Sequence, residues 1–160
     1  MNHPKLMLGL LLLAADACAL LTADEIQAVQ RERPQISKPS ARPGGELVVR
    51  QCFYQLPTFA KSISLEVTSG PAARAYWRKA FHQASPSEQD EKGEEGEAKE
   101  QPERVRGLGE EAFWTGSLRL GGLYVLKKGS ILRLSIGGTD AKGAKLKKLR
   151  ALARSALRRL

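Results

Sequence analysis

Hydrophobic positions along the chain recur with two different periods. Residues 62–68, Ser-Ile-Ser-Leu-Glu-Val-Thr, alternate strictly, so Ile63, Leu65 and Val67 share one face of a strand. Residues 47–56 are rich in β-branched and aromatic side chains and predict a strand before it, with residues 57–61 closing a hairpin. After residue 104 the same signal returns in short runs at 105–115, 117–120, 123–126 and 131–136, the last two separated by a Lys127-Lys128-Gly129 turn. Runs of this length at turn spacing predict an antiparallel meander.

The period becomes helical in three places. Thr22-Ala-Asp-Glu25 is a capping box, with Leu21 placed as a staple and Ile26 and Val29 as the apolar face of a helix over 23–30. Pro71 at a helix start, with Ala75, Tyr76, Lys79 and Ala80 behind it, predicts a second helix over 71–83; Tyr76, Trp77, Ala80 and Phe81 are expected to cover the sheet. Thr139 or Asp140 is expected to cap a long last helix, whose stripe is Leu146, Leu149, Leu152, Ala153, Ala156, Leu157 and Leu160. Pro34, Pro39 and Pro43 with Gly44-Gly45 predict a loop. The order of elements gives an α+β fold: an antiparallel sheet of about five or six strands flanked by N-terminal, middle and long C-terminal helices.

Two segments fall outside this pattern. Lys5 precedes ten apolar residues, 6–15, which are too few to cross a hydrocarbon core of ~30 Å but match the apolar region of a signal peptide. The small residues Ala14, Ala15 and Ala17 suit a cleavage site, so residues 1–17 are expected to be a signal peptide and 18–160 a single exported domain, periplasmic or secreted, with no transmembrane segment left after cleavage. The second segment, 85–103, carries eight acids against two lysines and no large apolar side chain. It cannot bury enough surface to offset its ordering entropy and reads as a mobile acidic insertion. It also lacks the Asp-x-Asp-x-Asp-Gly order of a calcium loop.

Export changes the reading of the cysteines. Two cysteines in an oxidising compartment are most simply one disulfide, Cys18–Cys52, stabilising the fold by roughly 3–4 kcal/mol in the chain-entropy model. The alternative is a lipid anchor on Cys18. It requires processing after Ala15-Asp16-Ala17, where the acid fits poorly, and leaves Cys52 without a partner.

Charge and motifs narrow the function classes. The chain has 160 residues, a net charge of +9, two histidines and two cysteines; with His3 in the leader, too few remain for a four-ligand zinc site without carboxylates, and no cofactor is expected. Gly107-Leu-Gly109 and Gly121-Gly122 lack the spacing of phosphate loops and read as turns. No Gly-x-Ser-x-Gly elbow or placed cysteine nucleophile is present; His82 reads as the end of the second helix, and Glu110 and Glu111, being adjacent, point apart. A non-enzymatic role is therefore expected. Phe113 and Trp114 point to opposite faces of an extended segment, and Trp77 and Trp114 are the candidate contact aromatics. Much of the positive charge lies on the last helix, where Lys145, Lys148, Arg154 and Arg158 are candidate contacts for anionic lipid or an envelope polymer. No aromatic side chain interleaves with them to stack on bases, so nucleic acid is not the expected partner.

The stretch 18–25 after the leader, Gln51-Cys52-Phe53-Tyr54, residues 107–114 (Gly-Leu-Gly-Glu-Glu-Ala-Phe-Trp) and 123–127 (Leu-Tyr-Val-Leu-Lys) together resemble a group of small exported bacterial proteins. That group includes uncharacterised cell-envelope proteins and lipoproteins with a PsbP-like α/β/α sandwich. The resemblance implies the sandwich fold and a disulfide from the opening cysteine to the strand cysteine, and it carries no catalytic residues. The acidic insertion departs from the pattern. The functional expectation is an exported domain that binds an unknown protein or small ligand in the cell envelope, or else an accessory subunit docking on another envelope protein.

Overall fold

The alternating run does form a strand, β3 (Ile63–Ser69), paired antiparallel with β2 (Leu47–Gln55) as the expected hairpin. The computed structural model describes residues 16–83, 101–116 and 121–160; residues 1–15 of the leader expected at 1–17, most of the acidic tract and the strand expected at 117–120 lie outside them. Among the described residues the sheet has seven strands, all antiparallel to their neighbours, and three α-helices, which establishes the α+β class with more strands than expected.

One added strand is β1 (Ile36–Gly44), where a loop was expected. It pairs along its length with β2 at the edge of the sheet. Pro39 and Pro43 are four residues apart, so both occupy the same alternate set of positions, and an edge strand needs no donors from the set facing away from its neighbour. The second is β4 (Glu103–Arg104), a two-residue strand at the opposite edge, formed by the end of the expected insertion. Between the edges lie β5 (Glu111–Thr115), β6 (Gly122–Lys127) and β7 (Ser130–Ile136), and the spatial order is β1-β2-β3-β7-β6-β5-β4. The chain thus lays down two meanders, β1–β3 and β4–β7, that meet along β3 and β7. The β6–β7 turn has positive φ at both Lys128 (50°) and Gly129 (73°), as a tight two-residue hairpin with right-handed strand twist requires.

Register sorts the side chains into two faces. Cys52, Leu65, Leu134, Leu123 and Trp114 are successive cross-strand partners on one face, with Val67, Leu132, Val125 and Ala112 in the next row. Two helices cover this face. α1 (Ala23–Gln30) has the expected capping box: Thr22 Oγ1 accepts from the Glu25 amide at 3.1 Å, and Glu25 Oε2 accepts from the Thr22 amide at 2.9 Å. α3 (Lys142–Leu157) buries Leu149, Leu152, Ala153, Ala156 and Leu157. Its N-cap is Ala141, with no side-chain cap; Thr139 and Asp140 do not serve, and the Asp140 carboxylate instead accepts from Lys148 Nζ at 2.9 Å. At the far end of α3 the Leu157 carbonyl accepts from Lys127 Nζ, and Arg159 donates to Leu20 O and to Glu25.

The other face carries α2 (Ala73–Phe81). Trp77 and Phe81 pack with Phe113, Leu126 and Ile131, and the Phe81 and Phe113 rings stack at 4.7 Å. Tyr76 and Ala80, expected to join them, are exposed, because α2 turns only the Ala73–Trp77–Phe81 edge to the sheet. A nine-residue helix is roughly 14 Å long, whereas seven strands span roughly 29 Å. Among the described residues much of this face is therefore left open.

Candidate functional site

The open part of the second face is crossed by one continuous row of side chains, one from each strand: Ser40, Gln51, Glu66, Arg133, Tyr124, Phe113 and Arg104. Phe113 is buried under α2 and Tyr124 lies edge-on to the Phe81 ring of α2 at 5.4 Å, but Gln51, Glu66 and Arg133 are half-buried and no helix lies above them among the described residues. Ser40 Oγ lies 3.3 Å from Gln51 Oε1, and Gln51 Nε2 donates to Glu66 Oε2 at 2.5 Å. Arg133 Nε donates to the Tyr124 hydroxyl at 3.0 Å, its Nη2 to Gly121 O at 3.3 Å, and its guanidinium lies over the Tyr124 ring. Burial raises the Tyr124 hydroxyl pKa, and Arg133 beside it opposes the rise. Glu66 and Arg133 are direct cross-strand partners, yet no ion pair joins them among the described residues; each is held by a neutral neighbour.

The next row outward is Phe53, Ser64 and Ser135, with Gly122 beside Ser135. Small side chains between Phe53 on one side and Tyr124 and α2 on the other leave a shallow trough. Two of the exposed large apolar side chains stand near it: Phe59, 70% exposed with its ring 6.0 Å from that of Phe53, and Tyr76, 49% exposed on α2. The tryptophans expected as contact residues are not among them. Trp77 is buried beneath α2, and Trp114 is buried on the opposite face. Phe113 and Trp114 do point to opposite faces, but both faces are covered at β5, so neither ring reaches solvent as a contact.

The cysteines lie on the covered face. Cys18 and Cys52 form a disulfide with Cα atoms 5.0 Å apart, which ties the 3-10 turn Ala17–Leu20 to β2. Tyr54 reinforces the tie by donating to Cys18 O at 3.0 Å, and burial pushes its hydroxyl up to about 12. Asp16 caps this turn by accepting from the Cys18 amide, and Ala17 is part of the core. With Cys18 Sγ bonded to Cys52, no thiol remains there for a thioether-linked lipid.

His82 ends α2, as expected, but its ring is engaged. Glu111 Oε2 accepts from Trp77 Nε1 at 2.6 Å and lies 2.8 Å from His82 Nε2. Burial alone would raise the Glu111 pKa; the hydrogen bonds from His82 and Trp77 outweigh it and the net direction is down. Glu110, by contrast, pairs with Arg74. A surface cavity of about 360 Å³ lined by residues 104–111 adjoins this carboxylate, and none of its lining side chains is a hydroxyl or thiol nucleophile. The arrangement fastens α2 to β5.

The basic face of α3 is partly spent on the fold. Lys145 donates to Gly138 O, Lys148 pairs with Asp140, Arg158 with Glu25, and Lys142 with Glu103 at the end of the acidic tract. Lys147 and Arg154 are exposed and have no such partner among the described residues, and Arg150 donates to the carbonyl of Arg106. Lys147, Arg150, Arg154 and Arg158 follow one another at helical spacing along a single outward stripe.

Among the described residues no three metal-ligating side chains cluster, and no helix is long and apolar enough to cross a membrane. No protein family, curated protein or solved structure matches the chain.

Proposed function

We propose that this chain is an exported, non-enzymatic binding domain of the cell envelope, and that its ligand site is the open sheet face around Gln51, Glu66, Arg133 and Tyr124. The observation that carries the reading is the row itself: four half-buried polar side chains, already oriented in pairs by hydrogen bonds, three of them with no element above them among the described residues and the fourth, Tyr124, at the edge of α2. Preformed polar groups flanked by aromatic side chains are the usual make-up of a ligand surface. Export is supported by the leader pattern and by the disulfide, which persists in oxidising compartments. A second reading has its own support in the α3 stripe, where Lys147 and Arg154 have no partner among the described residues and could meet an anionic lipid surface or polymer.

Retention of the purified protein on a cell-envelope preparation tests both. The expected result is that Arg133→Gln and Phe59→Ala weaken retention, whereas the double variant Lys147→Gln/Arg154→Gln leaves it intact at all salt concentrations. The opposite pattern, with steep salt dependence, would transfer the function to α3. Retention indifferent to all four changes would favour an accessory-subunit role through β1, whose nine residues are exposed throughout.

A further inference from the structure

Resting on that reading, we infer that the ligand of the open face is a neutral glycan chain. The backbone donors and acceptors of the inner strands are consumed by their ladders, so only side chains can read what lies on this face. An extended peptide gains its affinity from main-chain bonds at a sheet edge, which the middle of a sheet cannot offer. The side chains present are an amide, a carboxylate, a guanidinium, a phenol and the hydroxyls of Ser64 and Ser135, an even mixture of donors and acceptors. Sugar hydroxyls both donate and accept, and such a mixture satisfies them without leaving either role unpaired.

Charge points the same way. Glu66 and Arg133 cancel within one row, so the half-buried floor carries no net field to hold a polyanion or a polycation, in contrast to the α3 stripe. The flat C–H faces of sugar rings pack on aromatic rings, and Phe53, Phe59 and Tyr76 supply aromatic surface at the margins of the trough. Trough length also suits a chain: the row from Gln51 to Tyr124 spans three inter-strand steps, roughly 14 Å, comparable to two or three sugar residues.

Titration of the ¹⁵N-labelled protein with chitotetraose and with cellotetraose tests the inference. The expected result is saturable amide shifts confined to β2, β3, β6 and β7 around Gln51, Glu66, Tyr124 and Arg133. Phe59→Ala and Glu66→Gln should each weaken binding severalfold, with the shift pattern of the folded protein preserved outside the trough. Binding that is equal in wild type and both variants would overturn the inference, as would shifts confined to α3. If neither sugar binds while solubilised envelope material shifts the same trough residues, the glycan assignment falls and the open-face site stands. If that material shifts only α3, both fall.

Discussion

The two faces of one sheet carry different chemistry although they are built from the same seven strands. On one, the cross-strand row runs Cys52, Leu65, Leu134, Leu123, Trp114, buried throughout and roofed by α1 and α3. On the other, one residue along each strand, it runs Gln51, Glu66, Arg133, Tyr124, Phe113, and among the described residues α2 roofs Phe113 and flanks Tyr124 while the first three have no helix above them. The contrast follows from helix length against sheet width. Sixteen residues of α3 together with α1 and the disulfide-tied turn close the first face, whereas nine residues of α2 can close only one end of the second. Cohesion is therefore concentrated on the first face, and the polar row on the second takes little part in it.

This division can be strained in order of expected effect. Replacing both cysteines by serine removes the clamp on the covered face and should cost about 3–4 kcal/mol, read by urea unfolding. A cost close to zero would mean that Tyr54 and Arg159 alone hold the N-terminal turn. Trp77→Phe keeps an aromatic ring under α2 but removes the hydrogen bond to Glu111 and part of the indole packing, and should cost about 2–3 kcal/mol. In that variant the packed half of the second face loosens and the open row is undisturbed, which amide exchange in β5 against β3 would show.

The smallest effect is pH-dependent. The hydrogen bond from Arg159, with Thr22 adding to it, holds the Glu25 carboxyl down at about 2, against an ordinary value of 4.5. A depressed carboxylate stabilises the fold fully above its unfolded-state pKa and loses that contribution as pH falls through the folded value. Stability should therefore decline between about pH 4.5 and 2, and Glu25→Gln should flatten part of that decline while lowering the melting temperature by a few degrees at neutral pH. An unchanged acid profile in Glu25→Gln would show that the link between α1 and the end of α3 contributes little.

Much of the covered face was legible in the sequence because a single residue type carries the signal. Ile63, Leu65 and Val67 alternate, the leucines of α3 recur at helical spacing, and Thr22 and Glu25 announce a helix start; each fixes local structure without knowledge of a partner. The disulfide was legible because two cysteines in a chain read as exported have one pairing. The edge strand β1 was not, since two prolines and a Gly-Gly read as a loop unless the strand is known to lie at an edge. Nor was the open row. Ser64, Glu66, Arg133 and Ser135 occupy the polar half of their alternations, which says only that they avoid the core. That they stand side by side depends on the β3–β7 register, a contact between residues far apart in the chain. The tryptophans misled for the related reason that an aromatic pattern does not tell which side of a sheet a later helix will cover.

Arg133 and Leu134 are neighbours in β7 and face opposite ways, so the pair isolates the difference between the faces within one strand. The most direct test is therefore to compare the unfolding free energies of Arg133→Gln and Leu134→Ala. Leu134→Ala should cost about 3–5 kcal/mol, as truncation of a fully buried leucine does. Arg133→Gln should cost under about 1.5 kcal/mol, the worth of a hydrogen bond on a half-exposed face. Equal losses would contradict the account, because the polar row would then be holding the fold together and would not be standing free for a ligand.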